Sequence, residues 1–170
     1  LLFSAVTLAS GVVVTFLPLA RPGTGPFSAA GALLAVGLAS TAGRWWAGRF
    51  GDRRDPALLL APGLALCAAG VAALPGPGPL LLAGALAFGA GFGLLQNATL
   101  MVVMQRVRRG ERGLGSTLWN AAFDAGTGLG ALCFGLVFSS LGFSGSFYLC
   151  AALVASALCL VCLDRRKTHS

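Results

Sequence analysis

The chain of 170 residues is 56% hydrophobic and only 10% charged, with a net charge of +7. Soluble domains carry about 25% charged residues, so this chain has too few charges to cover a globule with polar surface. The composition excludes an ordinary soluble domain and indicates a protein whose solvent is lipid.

Apolar stretches of about 20 residues, the length of a membrane-spanning helix, follow one another along the chain. Because backbone groups in hydrocarbon must bond within their own segment, we predict that each stretch is a helix. The predicted fold is all-α, an integral membrane six-helix bundle without a separate soluble domain. The six spans are 1–20, 27–43, 57–74, 80–104, 114–138 and 146–163, and three of the breaks between them have turn sequences: RPGTGP at 21–26, PGPGP at 75–79 and SSLGFSG at 139–145.

Basic residues gather in the two remaining breaks and after the sixth span, and only Arg21 lies on the opposite face. Short loops rich in lysine and arginine face the cytoplasm. We therefore expect a multi-pass protein of the cell membrane with both termini in the cytoplasm. The positive net charge then reports topology rather than a nucleic-acid patch, for which no soluble fold is present.

The stretch GRWWAGRFGDRRDP at 43–56 holds four arginines and two aspartates. Three residues separate Gly48 from the pair Asp52 and Arg53, and Arg44 comes four residues before Gly48. A glycine lets another helix approach closely. An aspartate can cap a helix start, its own or a neighbour's, where free N–H groups carry partial positive charge. A helix–helix contact of this kind can form in one conformation of the protein and break in another.

This stretch resembles the signature of the major facilitator superfamily, Gly-x-x-x-Asp-Arg-x-Gly-Arg-Arg, as far as Arg53. Asp55 and Pro56 depart from it, since the family usually has glycine and arginine there. Three more stretches are similar to parts of that family. They are TFLPLA at 15–20 (the outer end of the seventh helix), VRRGERGLGS at 107–116 (the loop into the eleventh) and NAAFDAGTGLGALCFGLV at 120–137 (the eleventh helix of drug- and sugar-efflux branches).

The resemblance implies that 1–170 is the C-terminal six-transmembrane-helix half of a twelve-helix transporter, with the other half before Leu1. It implies secondary active transport by alternating access, in the form of proton-coupled efflux of a drug, sugar or metabolite. The family's signature contact lies between the two halves and assigns a conformational-switch motif to Arg44, Gly48, Asp52 and Arg53. The implied partners are the lipid bilayer, the N-terminal half and a small-molecule substrate; no nucleic acid and no cofactor are expected.

Polar residues inside the spans mark a candidate path for substrate or protons. Asp124 lies mid-span, where a carboxylate costs roughly 2.5–3.5 kcal/mol on insertion scales, and Asn120 is one turn earlier on the same face. Asp124 either carries a proton, meets a cationic group, or braces neighbouring helices by hydrogen bonds. Gln96 and Asn97 point about 100° apart, so at most one faces a cavity squarely. They either contact substrate or bond between helices.

Aromatic and cysteine residues have simpler interpretations. Trp119 is either an aromatic wall for an apolar substrate or a packing residue, and Trp45 with Trp46 is typical of an interfacial aromatic belt. The pair Cys159 and Cys162 has metal-like spacing, but no second pair or nearby histidine supports it. We therefore predict no metal site, and we treat the cysteines as small apolar residues.

Two other classes of protein stay open. A structural or channel-like membrane subunit needs no chemistry, and the sequence excludes it poorly. A membrane-embedded enzyme is less favoured, because the single histidine, His169, lies in the tail and the single glutamate, Glu111, lies in a loop. The sequence does not identify the substrate, the direction of transport or the coupling ion.

Overall fold

The structure is a computed structural model that describes residues 2–23 and 25–167, and these residues form helices and turns without a strand. The predicted all-α class is confirmed. Short 3₁₀ turns, Pro56–Leu59 and Arg109–Glu111, lead into the third and fifth helices. The α-helices in chain order are α1 (Leu2–Ala20), α2 (Ala29–Gly51), α3 (Leu60–Ala73), α4 (Gly78–Arg106) and α5 (Arg112–Lys167).

Four segments are long and apolar enough to cross a membrane by length and composition: Phe3–Ala20, Pro56–Ala73, Gly78–Arg106 and Arg109–Cys159. They indicate a multi-pass membrane protein, and the first three match the predicted spans one, three and four. The second predicted span, in α2, is not among them, since Arg44 and two tryptophans lie in the second half of that helix. The predicted spans five and six share the last segment. The count of six helices is therefore not confirmed.

Helix α2 extends well beyond the predicted end at 43. It begins after Ser28, whose hydroxyl accepts the Gly31 N–H, and it continues to Gly51. The Arg49 guanidinium lies 4.8 Å from the centre of the Trp45 ring, one turn earlier, which is a favourable cation–π distance. The prediction that the arginine-rich segment is a loop from 44 onward is wrong, because arginine and tryptophan fit a helix; only residues 52–55 form the turn.

The predicted loop at 139–145 is reduced to a single interruption of α5. Gly142 has φ 65° and ψ −173°, and the residues on both sides are helical. Glycine adopts positive φ without the clash that a Cβ would cause. The serine hydroxyls around it donate to carbonyls of the preceding turn: Ser139 to Leu136, Ser140 to Val137, and Ser146 to Gly142. These short-range hydrogen bonds satisfy the serine hydroxyls within α5 itself, and bonds of this kind often bend a helix, which agrees with a break at this position.

Glycines allow the central helix α4 to lie against its neighbours at backbone distance. A Cβ at position 93 would overlap the Ser40 carbonyl of α2, and a Cβ at 91 would lie 2.6 Å from the Gly63 carbonyl of α3. Helices α1 and α5 cross in the same way, with Gly11 against the Thr127 carbonyl. Small residues at these crossings are typical of membrane helices, whose association depends on close packing.

The turns of the bundle lie at two ends. At one end, Arg21 after α1 donates from Nη2 to the carbonyls of Pro75 and Gly76, at 2.8 and 2.7 Å, and so joins the α1–α2 loop to the α3–α4 loop. At the other end Gly51 lies against Met101 and Gly115 against Met104, so the arginine-rich turns adjoin. This alternation agrees with the predicted order of loops, whereas the side that faces the cytoplasm stays a prediction.

Candidate functional site

An open cleft of about 560 Å³ lies between α2, α4 and the first part of α5. It holds three of the four residues predicted for a substrate or proton path, and it also holds Trp119, whereas Asp124 is not among its lining residues. The lining is Arg44 from α2, Gln96, Asn97 and Leu100 from α4, and Trp119, Asn120 and Phe123 from α5.

Asn97 bonds two helices together at the edge of this cleft. Its Nδ2 donates to the Arg44 carbonyl oxygen of α2 at 2.7 Å, and a Cβ at position 48 would lie 3.2 Å from the same nitrogen. Gly48 therefore leaves the room in which the amide crosses from α4 to α2. An interhelical bond of this kind contributes about 0.6 kcal/mol on average in membrane proteins, and it gives Asn97 a packing role in addition to its place in the cleft.

Gln96, the neighbour of Asn97, carries an unpaired acceptor. Its side chain is 7% exposed, and within the part of the chain that the structure describes its Oε1 has no hydrogen-bond partner. A buried polar atom without a partner costs about 1–3 kcal/mol. Both Gln96 and Asn97 line the cleft, and within the described residues the Oε1 of Gln96 is the buried side-chain polar atom that has no partner.

Aromatic side chains form a fixed wall beside Gln96. Trp119 donates from Nε1 to the Thr99 hydroxyl at 3.1 Å, and this hydroxyl donates to the Leu95 carbonyl at 2.6 Å. The Phe3 ring stacks on Trp119 with centroids 4.7 Å apart, and the Phe123 ring follows at 6.0 Å from Trp119. The residues predicted from the sequence did not include Phe3, Thr99 or Phe123. The aromatic pair at 119 and 123, one turn apart, is the signal that indicates the wall.

Asp124 lies on an exposed face of α5 next to Asn120 and Gly128, which are exposed as well. Asn120 is engaged locally, because its Nδ2 donates to the Ser116 carbonyl at 3.0 Å. The structure gives the Asp124 carboxylate no hydrogen bond within the described ranges. It therefore offers no bracing partner for Asp124 inside this bundle, and the surface around it is free to meet lipid, water or another part of the protein.

The four motif residues occupy two places. Arg44 lines the cleft and donates from Nη2 to the Ser40 hydroxyl at 3.2 Å, while Asp52 and Arg53 are exposed in the turn after α2. In residues 2–23 and 25–167 the cap on the following helical turn comes from Asp55, whose Oδ1 accepts the Ala57 N–H at 2.9 Å. The contact of Asp52 with a partner helix stays a prediction.

Metal-ligating residues do not cluster in the described chain: no three His, Cys, Asp or Glu side chains come together there. Cys67, Cys133, Cys150 and Cys159 are free thiols. The side chain of Cys162 and the whole of His169 lie outside the described residues, so the Cys159–Cys162 spacing is not tested by the structure.

Comparison with known proteins gives one match. A family model described as Major Facilitator Superfamily matches residues 1–170. No curated protein and no solved structure matches the chain.

Proposed function

Because the chain belongs to the major facilitator superfamily and is a membrane transporter, we propose that a small molecule passes through the cleft by alternating access. The observation that carries this proposal is the cleft itself, with a cation, three amides and an aromatic wall among helices that are otherwise apolar. Membrane segments bury polar groups of this kind where they line a substrate path. The resemblance to efflux branches favours export of a drug, sugar or metabolite, and Asp124 is the proposed proton carrier.

We propose further that 1–170 is the C-terminal half of a twelve-helix protein and packs against an N-terminal six-helix half. The interruption at Gly142 supports six helical segments in this half, two of them within α5. The exposed positions of Asp52 and Asp124 support a second half that covers them. A channel-like subunit is the second candidate, since an open polar cleft also suits a pore.

A cysteine introduced in the cleft distinguishes the two candidates without a known substrate. We expect Asn120→Cys, in a full-length protein without its native cysteines, to react with membrane-impermeant thiol reagents from one side of the membrane at a time. A reagent or condition that holds the cleft open to one side of the membrane should then suppress labelling from the other side. Simultaneous, unchanged labelling from both sides would indicate a channel and contradict alternating access.

The proposed topology predicts which turns react from inside the cell. Single cysteines at 53 and 110 should be labelled only after the membrane is opened, and a cysteine at 77 should be labelled in intact cells. The physical reason is the basic character of the first two turns, since short basic loops stay cytoplasmic. Labelling of position 53 from outside intact cells would contradict the topology.

Asp52→Asn should shift the equilibrium between the two accessible states while the protein stays in the membrane. Asp52 is the exposed C-cap residue of α2, where its backbone N–H donates to the Gly48 carbonyl. Its side chain makes no hydrogen bond in the described chain, so its charge is available to a partner helix, where an aspartate near a helix start is stabilising. We expect labelling at position 120 to be retained on one side and to fall at least tenfold on the other, equivalent to about 1.4 kcal/mol.

Asp55→Asn is the matched control for this variant. Asp55 lies three positions away and caps the turn before α3, and asparagine caps a helix about as well as aspartate. This control should behave like the unchanged protein. If position 120 of the Asp52→Asn protein is labelled from each side at the same rates as in the unchanged protein, the motif serves only to set the topology.

A further inference from the structure

We propose that Gln96 determines substrate specificity in the cleft, and that the transported molecule is a neutral or anionic amphipathic compound with an O–H or N–H donor beside a flat apolar ring. This inference rests on the proposed function and deepens it, because it names the chemistry of the substrate. Three observations on the same cleft carry it: the free acceptor of Gln96, the aromatic wall and the charge of Arg44.

The first observation is the unpaired acceptor of Gln96. Gln96 lines the cleft, is 7% exposed, and leaves its Oε1 without a partner among the residues described. The neighbouring amides differ, since they are less buried and their Nδ2 groups are engaged, with Asn97 donating to the Arg44 carbonyl and Asn120 to the Ser116 carbonyl. Oε1 is itself buried in this structure. The terminal torsion of glutamine is broad, so rotation of the amide would bring Oε1 to the cleft when a ligand donor is present. A site built to hydrogen-bond a ligand donor strongly rejects an analogue that lacks it, because the buried acceptor is then left unpaired.

The aromatic wall sets the shape of what lies beside that donor. The Trp119 ring is held by its bond to Thr99 and by the Phe3 ring, and Phe123 continues the wall at 6.0 Å. Leu100 adds an aliphatic surface from α4. Rings of the ligand can stack on such a surface in the offset arrangement that aromatic pairs prefer. A flat apolar body is therefore the part of the ligand that fits this side.

The charge of the described lining disfavours a cationic head group. Arg44 is the single charged residue in the described lining, and its guanidinium donates to Ser40 from within the cleft wall. Asp124 does not line the cleft. An arginine favours carboxylates and other acceptors with bidentate geometry, and it repels an ammonium group. The donor that meets Gln96 is therefore a hydroxyl or an uncharged N–H group, and an anionic group is tolerated or favoured.

Two pairs of probes test these features on the purified full-length protein. The first pair is 6-hydroxy-2-naphthoate and 2-naphthoate, which differ only in the hydroxyl, and equilibrium binding is followed by their own fluorescence. We expect the hydroxylated probe to bind at least tenfold more tightly to the unchanged protein. Gln96→Met, which keeps the length of the side chain and removes the acceptor, should abolish that difference and leave 2-naphthoate within twofold.

Gln96→Glu keeps an acceptor of the same size, so it should retain a preference for the hydroxyl on a neutral probe, tested with 2-naphthol against naphthalene. A cationic probe, 2-naphthylmethylammonium, should bind weakly and gain affinity in Arg44→Gln. Equal loss of both naphthoates in Gln96→Met, with a lower melting temperature, would show that Gln96 serves packing or meets the other half, and would overturn the proposal. Absence of any hydroxyl preference in the unchanged protein would overturn it as well.

The labelling experiment at Asn120 distinguishes a failure of this inference from a failure of the proposed function on which it rests. If position 120 is accessible from one side at a time while the probes show no hydroxyl preference, only the substrate class is wrong. If position 120 is accessible from both sides at once, alternating access fails, whatever the probes show.

Discussion

Replacing Gly93 with valine will prevent α4 from packing against α2 and will leave little folded protein. A Cβ at position 93 would overlap the Ser40 carbonyl and would lie 3.0 Å from the Arg44 nitrogen. Both neighbours are backbone atoms inside a helix, so neither can turn aside. Overpacking of a core typically costs about 1–3 kcal/mol even where side chains can move, and backbone overlap leaves fewer ways to relax.

The measurement is the melting temperature and the monodisperse fraction of the full-length protein in detergent. Gly37→Val is the matched control, because Gly37 lies in α2 and a Cβ there has nothing within 4 Å. Both variants introduce the same β-branched side chain into a helix, so they share its effect on helix propensity. If the Gly93→Val protein melts like the Gly37→Val protein, the close contact of α2 and α4 is wrong.

Asp124→Asn will abolish accumulation driven by a pH gradient and spare exchange of substrate across the membrane. The substitution keeps the shape of the side chain and removes its ability to take up and release a proton. Asp124 is exposed on this bundle and has no hydrogen bond in its described part, so loss of the charge should leave the stability of the bundle unchanged. An acidic residue deep in a span costs free energy and is retained chiefly where it serves transport.

The assay uses reconstituted full-length protein, with pH-driven transport and exchange of a bound naphthoate probe measured side by side. The melting temperature of the same preparation serves as the control for folding. Equal loss of both activities, with lower stability, would show that Asp124 braces helices and would end the coupling hypothesis. Normal pH-driven transport would remove Asp124 from the mechanism.

The existence of the helices can be predicted from the sequence more reliably than the residues at which they end. Long apolar stretches must be helical in lipid, and α4 lies within a few residues of its predicted bounds. The basic pattern after 43 reports which side of the membrane a segment occupies and says nothing about its backbone, so the extension of α2 to Gly51 was missed. The serine- and glycine-rich segment at 139–145 suggested a loop, yet its residues are helical except at Gly142, and its serine hydroxyls bond to carbonyls of the same helix.

The candidate site could be predicted from the sequence only in part. Gln96, Asn97, Asn120 and Trp119 stand out as polar or aromatic residues in apolar spans, and the cleft contains all of them. Arg44 reaches the cleft only because glycines of α4 let α2 approach. The periodicity of apolar residues in the sequence does not determine the distance between α2 and α4. Asp124 is one turn from Asn120, but four residues advance a helix by about 40° beyond a full turn, which is enough to take Asp124 out of the cleft.

The two hydrogen bonds of Arg21 have a mechanical consequence. They tie the α1–α2 turn to the α3–α4 turn at one end of the bundle, through the carbonyls of Pro75 and Gly76. Toward the other end the Asn97 amide joins α4 to α2. We therefore expect these two turns to be displaced together, as one unit, whenever the end of the bundle beside Arg21 moves.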